Sequence, residues 1–237
     1  MKKFTTGFAA QISAIFLFST LFCNQSLAVN RVVSSVENLD IDISEESSTS
    51  TIAIESGGIL NANITMGNSS QSTILNGGTL NGNVSGSGKI NVNLDSNLNG
   101  NIDISSIIAI ANGTTLSING GDIFVSIRGA ADNSGAVKFN ADNTLLASVG
   151  TSSTTLELIE LANNVVLNTS DKTINALAIK IGDGATLNYG GGDIVGSVEG
   201  TGKFVFSASD TTNFDIIENV SGERLSEIKI NNGTTVN

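Results

Sequence analysis

Apolar and polar residues alternate along this chain in short bursts. Examples are Leu39-Asp40-Ile41-Asp42-Ile43, Ile90-Asn91-Val92-Asn93-Leu94, Ile102-Asp103-Ile104, the trio Ile123, Val125 and Ile127, and the pair Val137 and Phe139. A period of two places the apolar set on one face of a strand. Each burst is cut off after a few residues by Gly, Asn, Asp or Ser, so hairpins of ordinary length do not fit, and a coil of short strands accounts for the pattern better. The run Ile107-Ile108-Ala109-Ile110-Ala111 reads as a buried strand, and Leu156 to Leu161 also as a strand.

The bursts are self-similar. LNANI spans Leu60 to Ile64, LNGNV spans Leu80 to Val84 and LNGNI spans Leu98 to Ile102, with Leu116-Ser117-Ile118-Asn119-Gly120 continuing the series in looser form. Turn residues precede each leucine, as at Gly57-Gly58, Gly77-Gly78 and Asn112-Gly113. Longer phrases recur as well: Val84 to Ile90 (VSGSGKI) matches Val198 to Phe204 (VEGTGKF), and Gly120 to Gly129 (GGDIFVSIRG) matches Gly191 to Gly200 (GGDIVGSVEG). The interval from Leu116 to the leucine of Asp183-Gly184-Ala185-Thr186-Leu187 is close to four units of about 18 residues.

If three short strands and their turns make a rung of about 18–24 residues, each strand pairs with its counterpart one rung away at about 4.8 Å. The expected fold is all-β, a right-handed parallel β-helix of roughly ten rungs and on the order of 50 Å long. Residues 29–51 are expected to form an N-terminal cap and loop, because an open solenoid end invites edge pairing, and 52–237 the repeat domain, ending mid-repeat. Asn in the turns has two readings. Its amide can bond the Asn one rung above in a ladder, or it reflects compositional drift.

The first residues set an expected compartment. Lys2 and Lys3 precede an apolar run from Phe8 to Phe22 and then Ser26-Leu27-Ala28, the pattern of a signal peptide (residues 1–28, an N-terminal signal helix) cleaved before Val29. The expected localisation is therefore export, to the periplasm, the cell surface and outer membrane, or the exterior. Cys23 leaves with the signal, so residues 29–237 contain no Cys, His, Trp or Pro and no disulfide. Loss of Lys2 and Lys3, with no acid before residue 29, moves the net charge from −11 to −13. That balance disfavours nucleic acid and anionic membranes as partners. No apolar stretch after residue 28 has the length of a transmembrane helix, so an integral membrane protein is not expected once the signal is cleaved.

Without His and Cys, the usual nucleophile–base pairs and zinc or haem ligands are missing. Carboxylates remain. Asp40 and Asp42 share one strand face, Asp122 and Asp193 recur at one place in the GGDI phrase, and Asp103 with Asp122 and a Lys or Arg would be the nucleus of a sugar-cleaving groove. Solvated strand and turn acids are the simpler reading, and Arg128 reads as a surface charge. No catalytic, cofactor-binding or metal-binding residue is singled out, and neither a cofactor nor enzymatic activity is expected.

The phrases NGTTL, GTGKFVF and NNGTTV, in an Asn- and Gly-rich chain behind a signal peptide, resemble passenger segments of autotransporters, most closely the rickettsial surface-cell-antigen group related to outer membrane proteins A and B. The resemblance covers residues 29–237 diffusely. It implies outer-membrane translocation, surface display and adhesion to a host-cell surface protein or glycan. Autotransporters end in a translocator barrel, whereas this chain stops at Asn237 inside a repeat phrase. An uncapped last rung would leave an edge for self-association. The function expected is that of an exported non-catalytic adhesin-like solenoid. The alternatives are an Asp-based polysaccharide lyase or hydrolase and an inactive truncated remnant.

Overall fold

The computed structural model describes residues 28–46, 49–169, 171–207 and 225–230. The proposed signal helix and the NNGTTV phrase lie outside these residues. Every strand pairing between named strands is parallel, and no helix occurs among the described residues. The chain is a parallel β-solenoid with three faces.

The first face is a sheet of six strands, running from Asn30–Val33 through Thr51–Glu55, Ser72–Asn76, Lys89–Leu94 and Ile107–Ile110 to Ser126–Gly129. Single bridges extend its line from Ile127 to Val149 and from Val149 to Ile174. The second face holds nine strands in one sheet, from Val36–Glu37 to Ile194–Gly200. On the third face, four strands between Ile41–Asp42 and Ile102–Ile104 connect through bridges at Ile123 to five more, ending at Glu227–Ile230. Nine strands stacked on the second face give nine full rungs among the described residues, close to the ten expected.

Side chains from successive rungs pile into a dry interior. Leu60 pairs with Leu80 and Leu80 with Leu98, all fully buried. The column goes on through Ile118, Phe139, Leu161 and Ile181. Its members are unevenly spaced along the chain, and the turns absorb the difference without disturbing the in-register strands. A second column runs Ile41, Ile64, Val84, Ile102, Ile123, Leu145 on the third face. Near the C-terminal end Tyr189, Phe204 and Phe206 fill the interior, with ring centroids 6.0, 6.0 and 4.6 Å apart. Tilted and edge-on contacts of this kind suit the aromatic quadrupole.

Leu156–Leu161 is a strand, as the alternation predicts. Ile107–Ile110 is also one, but only Ile108 and Ile110 are buried while Ile107 and Ala109 sit half-exposed on the outer surface. Residues 30–42 form the first rung of the same coil, pairing with the strands at Thr51–Glu55, Ile59–Leu60 and Ile64–Met66.

The strand register corrects how the repeat phrases align. Leu98 pairs with Ile118, and Leu116 pairs with Ser96, so the looser unit is Ile118-Asn119-Gly120-Gly121-Asp122-Ile123, with one extra residue in the turn. Leu116 lies on the second face and Leu187 on the third, so the interval between them joins different sides of the coil. VSGSGKI and VEGTGKF likewise begin on the third and second faces respectively. What they share is a corner. Gly86 and Gly200 have φ of +103° and +113°, and a Cβ on either would crowd the carbonyl oxygen of the rung below, at 1.8 Å from Met66 O and 2.1 Å from Ile181 O. Only glycine fits both the left-handed backbone and the close approach.

Candidate functional site: the lateral faces and their ladders

The corner between the second and third faces is built from the Asn-x-Asn phrase. On the first four rungs the first asparagine bonds its equivalent. Asn61 Nδ2 donates to Asn38 Oδ1 at 2.9 Å, Asn81 Nδ2 to Asn61 Oδ1 at 2.7 Å, and Asn99 Nδ2 to Asn81 Oδ1. An amide is donor and acceptor at once, so one residue type propagates the series. The second position works differently, because there the side-chain oxygen accepts a backbone N–H from the next rung. Asn63 N–H donates to Asp40 at 2.7 Å, Asn83 N–H to Asn63 at 3.0 Å, Asn101 N–H to Asn83 at 2.8 Å and Asp122 N–H to Asn101 at 2.8 Å. Acceptance alone is needed here, so a carboxylate serves at Asp40 as well as amides do at Asn63, Asn83 and Asn101, and the series ends on the backbone N–H of Asp122. Neutral residues in the middle avoid stacking like charges one strand spacing apart.

The first ladder stops at Asn99, whose Oδ1 is buried without a partner. The extra residue at Gly120-Gly121 follows on the next rung, and the amide series resumes where Asn140 Nδ2 donates to Asn119 Oδ1 at 2.9 Å. Shorter ladders join Asn93 to Asn76 at 3.0 Å, Asn76 to Glu55 at 3.0 Å and Asn188 to Asn168 at 2.8 Å.

The acidic candidates take separate places. Asp42 accepts the Ser44 N–H at 2.9 Å, and its carboxyl lies below the usual carboxylate range because the Ser44 hydroxyl, and then that backbone N–H, bond the charged form. It sits on the outer side of the third face in register with Thr65. Asp103 is exposed on the same face in register with Ser85. Asp122 follows one rung later, beside Ile123, which bridges to Ile102. Asp193 precedes Ile194, which pairs with Ile174 in the line of the first face, so it is not brought near Asp122. Arg128 pairs with Ala109 on the first face, away from Asp103 and Asp122. No group of three or more His, Cys, Asp or Glu is gathered closely enough to hold a metal ion among the described residues.

The second face carries a feature that the reading of the sequence missed. Lys138 stands over Glu160, Glu160 over Lys180 and Lys180 over Glu199, and the Lys138 Nζ to Glu160 Oε1 distance is 2.8 Å. The signal is present as apolar-charge-apolar triplets, Val137-Lys138-Phe139, Ile159-Glu160-Leu161 and Ile179-Lys180-Ile181. Opposite charges on neighbouring strands are mutually stabilising where like charges would not be. Beside this row is a hollow of about 280 Å³ bounded by Glu160, Lys180, Asn163, Asp183 and Thr201. On the third face Phe124 and Leu146 occupy neighbouring rungs, 44% and 38% exposed.

Comparison of the chain with protein-family models, with characterised proteins and with solved structures finds no match.

Proposed function

We propose that this chain is an exported or surface-displayed β-solenoid that works as a non-catalytic, adhesin-like passenger, presenting its long lateral face to a host-cell surface protein or glycan. The observation that carries the reading is the continuity of that face. Nine strands stack without interruption on one side, with the row Lys138, Glu160, Lys180 and Glu199 on its outward positions and the bonded asparagine ladder along the adjoining corner. A rigid array of donors and acceptors at a repeat of about 4.8 Å suits an extended ligand that is engaged at many weak points. The amino-terminal pattern of Lys2, Lys3, the apolar run and Ser26-Leu27-Ala28 supports export.

The polysaccharide-cleaving alternative is less well supported. Asp103 and Asp122 share a face on adjacent rungs, but they face Ser85, Asn101 and the exposed Phe124, and Arg128 is on another side. The deciding experiment is binding of fluorescently labelled residues 29–237 to cultured animal cells. Saturable binding that unlabelled protein displaces is expected. Signal that rises linearly with concentration and resists displacement would reject the reading.

A further inference from the structure

We infer that Asn112-Gly113 is a site of spontaneous deamidation, and that the asparagine ladders protect the other Asn-Gly pairs of the solenoid from the same reaction. In the reaction, the Gly113 amide nitrogen gives its proton to hydroxide and attacks Asn112 Cγ. The Cγ–Nδ2 bond breaks, Nδ2 takes a proton from water, and ammonia leaves. Water then opens the succinimide at one carbonyl or the other, giving aspartate or isoaspartate. The step needs an asparagine amide that can turn towards the following nitrogen, a following residue without a side chain, and a nitrogen that is not hydrogen-bonded.

Five Asn-Gly pairs lie within the described residues, and the fold treats them unequally. Asn76 donates to Glu55 and accepts from Asn93, each at 3.0 Å, and the attacking nitrogen of Gly77 is itself held by Ser96 Oγ at 3.0 Å. Asn81 and Asn99 are successive members of the first ladder. The glycines after them have no room to move, since a Cβ on Gly82 would lie 1.9 Å from Ala62 O and one on Gly100 2.3 Å from Gly82 O. Asn119 is held through its oxygen by Asn140 at 2.9 Å. Asn112 is set apart by its side chain, which makes no hydrogen bond among the described residues; it is exposed, as Asn81 and Asn119 also are, and Gly113 has φ of +65° with nothing within 4 Å of where a Cβ would stand, an openness it shares with Gly120. A sixth pair, Asn232-Gly233, lies outside the described residues.

The product matters to the surface. A new carboxylate at position 112 adds negative charge to a corner that carries Asp95 on the rung before and Asp132 on the rung after. Isoaspartate also lengthens the main chain by one carbon inside the turn closed by Thr114 N–H and Ala111 O at 3.3 Å. The charge pattern of this corner therefore changes with the age of the molecule.

The test is peptide mapping by mass spectrometry of the full chain aged at mildly alkaline pH, both native and unfolded in urea. In the native chain, conversion at Asn112 is expected about tenfold or more faster than at Asn76, Asn81 and Asn99, because their amides must first give up hydrogen bonds. In urea the pairs should convert at similar rates. Asn140→Ala should raise conversion at Asn119 in the native chain and leave Asn112 unchanged, with circular dichroism confirming that the variant folds. The inference is overturned if the ladder asparagines convert as fast as Asn112 in the native chain, or if the preference for Asn112 persists in urea.

Discussion

Arg31 and Glu37 meet at 2.5 Å across the N-terminal end of the interior. Both occupy positions that are apolar on the next rung, since Arg31 pairs with the buried Ile52 and Glu37 with the buried Leu60. The first rung thus replaces two core side chains by a partly exposed ion pair over the layer beneath. An apolar pair there would expose a ready edge, and charge at a sheet end discourages addition of another strand.

Replacing Arg31 by Ala is accordingly expected to cost about 1 kcal/mol or less, since the pair is partly exposed and screened by water. The same change should also increase self-association. Denaturant titration and sedimentation of Arg31→Ala beside the parent protein check both. A variant Arg31→Leu that remains as monomeric as the parent would show that the pair has no part in closing the end.

The two positions of the Asn-x-Asn corner make different demands. Asn81 must donate to Asn61 as well as accept from Asn99, whereas Asn83 only accepts from the backbone of Asn101. A carboxylate can accept but not donate. Asn81→Asp should therefore destabilise by about 1–2 kcal/mol, and Asn83→Asp by clearly less. Chemical denaturation of the two single variants at neutral pH compares them directly. Equal losses would mean that donation along the ladder contributes nothing.

Glu160 lies between two lysines in the charge row of the second face. Glu160→Lys places three ammonium groups on successive rungs and removes the 2.8 Å contact with Lys138. The melting temperature should fall at low ionic strength, and the fall should shrink as salt is added, because these exposed charges are screened. A loss independent of salt would place its origin in packing.

The coil itself is legible in the sequence because Leu60, Leu80 and Leu98 recur at nearly even intervals with their turns intact, and these three do stack. The next member is not legible in this way. Leu116 and Ile118 both face inward, and a period of two cannot tell which of them continues the column. The VSGSGKI and GGDI phrases misled for a related reason, since glycine demands at a corner are local and any of the three corners can make them. The ladder role of Asp40 is hidden because an acceptor position takes Asp or Asn alike, so this acid looks like a candidate for chemistry, and Asp122 joins the ladder only through its backbone N–H. The charge row escaped notice because the intervals from Lys138 to Glu160, Lys180 and Glu199 shorten step by step, and uneven spacing conceals a column that strand register preserves.

The stacking of rungs is tested most directly by distances along the second face. Thr79, Lys138, Glu160, Lys180 and Glu199 all point outward from one line of that sheet, zero, three, four, five and six rungs along it. With one spin label at Thr79 and a second at each of the others in turn, electron spin resonance should give separations of about 14, 19, 24 and 29 Å, rising by about 4.8 Å per rung. Separations that fail to rise in that order, as in a sandwich folded from hairpins, would contradict the solenoid and with it the surface on which the proposed function depends.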